Sequence, residues 1–142
     1  MLNKLNSTKT DEFVHSDVAI LLLRIGAAAL ILTHGFSKLM KIMDGDFGFM
    51  DPIGIGATTS LFLVTFAEFF CALLLLVGFF TRGALIPLII NFLVIIFIAH
   101  GDDPFGRKEL PLLYLISYIT LFLTGPGKLS LDGKLFGSTR SG

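Results

Sequence analysis

Cysteine is almost absent from this sequence: Cys71 stands alone among 142 residues. A single cysteine excludes an intrachain disulfide, a CxxC dithiol and any all-cysteine metal site within one chain, so dithiol chemistry, if the protein serves it, belongs to a partner. Charge is scarce too, at 15% of residues, where soluble domains carry about 25%. Eleven basic side chains balance eleven acidic ones, which leaves no electrostatic footprint for a polyanion and argues against nucleic acid as a partner. No nucleotide-binding glycine loop and no cysteine cluster offers an electron relay, and no metal site is expected. Residues 1–16 are polar, with Lys4, Lys9, Asp11 and Glu12, and lack the apolar stretch that a cleaved signal carries directly after its basic start. The first apolar segment is expected to act as its own insertion signal.

What the chain has in quantity is apolar surface. Apolar residues make up 54%, fifteen of them Phe, and the mean hydropathy is +0.83. Four apolar segments stand out, at about 17–40, 60–80, 83–100 and 109–124, and none has the broad polar face that a soluble bundle helix needs on its water side. The reading is an all-α, integral membrane, antiparallel four-helix bundle over 17–137, after a polar segment at 1–16 and before a flexible tail at 138–142. Ser16 or Asp17 caps the first helix. Pro87 and Asn91 interrupt the third, where neighbouring helices must satisfy freed backbone groups. Pro111 falls in the first turn of the fourth, where its missing N–H costs nothing, and Gly125-Pro126-Gly127 ends it. Asp44, Asp46 and Asp51 in the long first loop resemble calcium ligands, but Ile55 stands where a calcium loop carries its closing Glu, so the loop reads as solvated.

An ionisable side chain inside a span costs on the order of 2.5–3.5 kcal/mol and needs a partner or a task. Counted from the face where the first and third helices end, His34 lies roughly 9 Å deep and Glu68 roughly 12 Å, at about 1.5 Å per residue. Asn91, Tyr114 and Tyr118 fall at roughly 13, 7 and 13 Å on the same count, and Arg24 near the opposite face at roughly 24 Å. His34 and Lys38 share one face of their helix, with Arg24 within about 80°. Glu68 and His34 are therefore expected to form a proton-exchanging pair, as the catalytic candidates, with Lys38, Tyr118, Asn91 and His100 as candidate cofactor contacts. His100 is expected at the rim, because it lies about 180° around the helix from Asn91. The competing structural readings are that Glu68 merely neutralises a cation on the first helix, that Arg24 and Arg82 snorkel to headgroups, and that Tyr114 belongs to an interface belt. Cys71 reads as a small buried apolar side chain, and the Gly26–Ala29 patch and Gly78 as points of close helix packing.

The order of these polar residues carries a resemblance. Arg24, His34-Gly35-x-x-Lys38, Glu68, Gly78 with Thr81-Arg82, His100, and Gly125-x-Gly-x-x-Ser-Leu-Asp132 together resemble the DoxX family of small four-helix membrane proteins, over roughly 17–137. The resemblance implies a prokaryotic cytoplasmic-membrane subunit tied to redox chemistry, related to the DoxD-type subunit of thiosulfate:quinone oxidoreductase. It implies a quinone-linked oxidoreductase subunit whose carrier is a quinone or similar lipid-soluble molecule. A protein partner or homo-oligomer is expected, because nothing in the chain supplies electrons. A non-catalytic scaffold is the alternative. A haem held by His34 and His100 is disfavoured by their unequal depth and separate faces. Lys and Arg outside the spans weakly favour cytoplasmic termini.

Overall fold

In a computed structural model, the described residues are 16–137; the polar segment at 1–15 and the tail at 138–142 lie outside them. All regular structure among the described residues is helical. Helix α1 is Ser16–Met43, α2 is Ala57–Val77, α3 is Thr81–Ala99, α4 is Phe105–Thr124 and α5 is the short Leu131–Phe136. The first three are long and apolar enough to cross a bilayer. In α4 the charges of Arg107, Lys108 and Glu109 occupy the first turns and shorten the apolar stretch.

The ends of these helices have local causes. Helix α1 runs three residues beyond its expected end, and Lys41 in its last turn reaches Asp46 of the following loop at 2.6 Å. Helix α2 starts early, directly after Gly56, and stops at Gly78, which takes the left-handed conformation at φ 72°. Glycine adopts that conformation without a steric penalty. Helix α4 begins at Phe105, so Pro111 sits inside the helix and not in its first turn as expected; it leaves the carbonyl one turn earlier without its usual donor. The short α5, capped by Ser130 through Gly133 N–H, has no counterpart in the sequence reading.

Two π-helical turns interrupt the regular winding, Phe66–Cys71 in α2 and Ile95–Ala99 in α3. Such turns insert an extra residue and recur at functional sites. The core is built where α1 packs on α2 and α4, and α3 on α2 and α4. Ala28, Ile31, Ala72, Leu75, Leu85, Leu88, Tyr118 and Leu121 are buried there, while Leu22, Phe97 and Leu123 stay exposed. An apolar exterior of this kind suits lipid as the solvent.

One glycine sets the spacing between α1 and α2. A Cβ on Gly35 would collide with the backbone carbonyl of Glu68, so the two helices touch backbone to backbone at the level of the first π turn. Close packing was expected at Gly26–Ala29. Ala27 and Ala28 are buried, but Gly26 faces open space, and the tight approach lies at Gly35 instead.

Candidate functional site

Glu68 occupies the π turn of α2, with 3% of its surface exposed. The Lys38 ammonium stands 2.5 Å from Glu68 Oε2, an ionic contact that is not aligned as a hydrogen bond, so Oε2 has no directional donor. Asn91 Nδ2 of α3 donates to Oε1 at 3.4 Å. A carboxylate, an ammonium and a carboxamide from three helices thus meet at one buried point. Such a cluster is retained in lipid when it is paired, and it marks substrate, ion or proton pathways.

Two concavities flank this cluster. One is a cleft of about 150 Å³ lined by His34, Glu68, Phe92, Ile95, Pro111 and Tyr114. The other, about 320 Å³, runs along α2 and α3 beneath the loop at 52–55 and includes Asn91 and Ser60 among its walls. Glu68 faces the first, Asn91 the second, and their hydrogen bond separates the two.

The expected residues assemble in part. Glu68, Lys38 and Asn91 come together. His34 is exposed and lines the same cleft as Glu68, but the cation paired with the carboxylate is Lys38. Tyr118 is wholly buried and donates its hydroxyl to Ala27 O at 3.2 Å, which holds α4 on α1. His100 stands apart, with Nδ1 2.6 Å from Asp103 Oδ2 at the turn before α4. That pairing, with Arg107 and Lys108 nearby, holds the Asp103 carboxyl below the usual carboxylate range, the His100 hydrogen bond contributing most. Tyr114, expected in an interface belt, is instead buried, stacked on Tyr118 and part of the His34 cleft wall. Its i, i+4 spacing to Tyr118 was the sequence signal for that role.

Arg24 corrects a second expectation. It does not snorkel: it is 2% exposed and donates to Pro126 O at 2.6 Å and Leu129 O at 2.9 Å. These carbonyls belong to the glycine-rich segment after α4, which is further fixed by Asp132. The Asp132 carboxylate accepts from Phe80 N, Thr81 N and Thr81 Oγ1 at 2.8–2.9 Å, capping the start of α3. Partial burial opposes ionisation of Asp132, but the donors from Thr81 and Phe80 outweigh it and leave the carboxyl below its ordinary range. Lys128 N–H is taken by Asp17 at the start of α1. A Cβ on Gly78 would collide with Ser130 and press on the Arg24 guanidinium. Arg24, Gly78, Thr81 and Asp132 therefore form a clamp that ties four helix ends together. It shares no residue with either concavity beside Glu68.

In the first long loop, Asp51 accepts from Ile55 N, Gly56 N and Ser60 Oγ, and Asp46 from Lys41 and Gly48 N. Both carboxylates serve the loop's own fold.

An all-helical chain with several membrane-crossing helices and a paired carboxylate inside them is a multi-pass membrane protein. The family model described as DoxX matches residues 19–101, more than half of the chain. The protein belongs to the DoxX family. The match contains Arg24, His34, Lys38, Glu68 and Asn91 and stops before α4 and the Asp132 segment. No curated protein and no solved structure matches the chain.

Proposed function

We propose that the chain is a four-span membrane subunit of a redox system that binds a quinone, or a carrier like it, at the Lys38–Glu68–Asn91 cluster. The observation that carries this reading is the burial of Glu68 in a π-helical turn, with an ammonium and a carboxamide on its two oxygens. A quinone head group needs donors for its carbonyl oxygens and groups that exchange protons beside it. Lys38 and Asn91 are donors, Glu68 and His34 exchange protons, and Tyr114 borders the cleft. Electrons come from a partner oxidoreductase subunit, and each quinone that takes up two of them takes up two protons. The fourth span is α4, whose Leu113, Ile116 and Leu123 remain exposed as a lipid-facing side would, while Tyr118 faces the interior. The membrane is the prokaryotic cytoplasmic membrane, with both termini in the cytoplasm; a reporter active only in the periplasm, fused to the C-terminus, gives no signal.

The scaffold reading has one observation in its favour: Lys38 already neutralises Glu68. The two readings part under substitution. In lipid nanodiscs, Glu68→Gln keeps the protein inserted and folded but lowers binding of a long-chain alkyl benzoquinone at least about tenfold, which is about 1.4 kcal/mol. Loss of thermal stability with normal binding in the folded fraction would establish the scaffold.

A further inference from the structure

Resting on that reading, we infer that the carrier reaches Glu68 from the lipid side, along the groove between α2 and α3, while the His34 cleft on the other side admits only water and protons. Size separates the two concavities first. Ligand sites run from about 300 to 1,000 Å³; the groove has about 320 Å³, the cleft about 150 Å³. A water needs only about 10–15 Å³ of accessible space and two or more polar partners. The cleft offers room for several, beside His34, Glu68 and Tyr114.

Chemistry separates them next. The described groove walls are apolar, among them Ile53, Val64, Ile90 and Val94, except for Ser60 and Asn91. Ser60 is engaged with Asp51. Asn91 is the polar residue left to meet a ligand, and its amide is bonded to Glu68. A hydrocarbon tail fits the walls, and the polar end of the same molecule is met by a carboxamide already wired to a proton-exchanging carboxylate. The groove is also built in advance. Three hydrogen bonds to Asp51 fold the loop over its mouth, and Phe47 of that loop stacks on Phe62 of α2. The occupant is the tail of the lipid-soluble carrier, continuous through Asn91 with the Glu68 cluster.

The test fills each concavity in turn. Ile90→Trp places an indole over the groove and Leu110→Trp one over the cleft, each at an exposed position. Binding to nanodisc-embedded protein is measured with a long-chain alkyl benzoquinone and with the same ring lacking its tail. Ile90→Trp is expected to weaken the long-chain probe at least about tenfold and the bare ring less than twofold, with Leu110→Trp within twofold of wild type for both. Weakening by Leu110→Trp instead, or an equal loss of both probes in Ile90→Trp, overturns the assignment. If Ile90→Trp does not fold, Ile53→Trp on the loop fills the same groove. A separate readout guards against failure of the quinone reading itself. The chain has no tryptophan, so Ile55→Trp is a unique reporter at the groove rim. Saturable quenching by a brominated long-chain alcohol supports the groove as a tail site even if no benzoquinone binds, and quenching that rises linearly with lipid content refutes it.

Discussion

Replacing Lys38 by Met removes the ammonium and keeps the length of the side chain, which isolates what the ion pair does for Glu68. In the native protein Lys38 is 21% exposed at its side chain and Glu68 4%. Without Lys38 the carboxylate keeps only the 3.4 Å hydrogen bond from Asn91. Breaking a buried pair by removing one partner costs about 3–5 kcal/mol, because a charge is left without compensation. Partial exposure of Lys38 puts the expected loss at the low end, about 3 kcal/mol. Glu68→Gln leaves the other charge, and a lysine that already reaches polar surroundings relaxes outward, so that loss is about 1 kcal/mol. The double variant carries no buried charge and should also lose only about 1 kcal/mol, giving a coupling of about 3 kcal/mol. The assay is reversible unfolding of all four proteins in mixed micelles. Costs that simply add would refute the pair as the means by which Glu68 is held in the membrane.

Three further outcomes follow from the packing and the clamp. Gly35→Ala forces a methyl against the Glu68 carbonyl; overpacking costs about 1–3 kcal/mol, and the loss appears as a lower melting temperature, whereas Gly26→Ala, facing open space, is neutral or slightly stabilising. Asp132→Asn weakens the acceptor for Phe80 N, Thr81 N and Thr81 Oγ1 and costs about 1–2 kcal/mol at neutral pH. Because the folded-state carboxyl is held below its ordinary range, the stability it contributes is present above the unfolded value of about 4 and is lost as pH falls through the folded one. Melting temperature against pH should therefore show an acid-side slope in wild type that is smaller in Asp132→Asn. Gentle detergent extraction should yield the chain with a second subunit or a second copy, seen by light scattering; a strict monomer would contradict the need for an electron-donating partner.

Periodicity and depth made much of this legible. The helices lie close to where apolar runs placed them, since a bilayer selects for length and hydropathy more sharply than a soluble core does. Counting 1.5 Å per residue brought His34, Glu68 and Asn91 to one level, and Lys38, expected on the face of His34, meets Glu68 together with Asn91. What the count missed was rotation. A π turn adds a residue and shifts every later side chain around the axis, and Glu68 lies within one of them. The ion pair goes to Lys38, one turn beyond His34. Tyr118 and Arg24 were obscured for another reason: their partners are backbone carbonyls of Ala27, Pro126 and Leu129, and residue types do not announce which carbonyls are free. His100 was expected at the rim, and its partner Asp103 belongs to the loop just beyond.

The most direct measurement of the central claim is the amount of quinone that stays with the protein. Wild type and Glu68→Gln are expressed alike, extracted gently with native lipid, and the quinone content per mole of chain is determined by mass spectrometry. The account predicts near-stoichiometric quinone in wild type and a loss of at least about tenfold in Glu68→Gln, at unchanged total lipid. Equal trace amounts in both would contradict it.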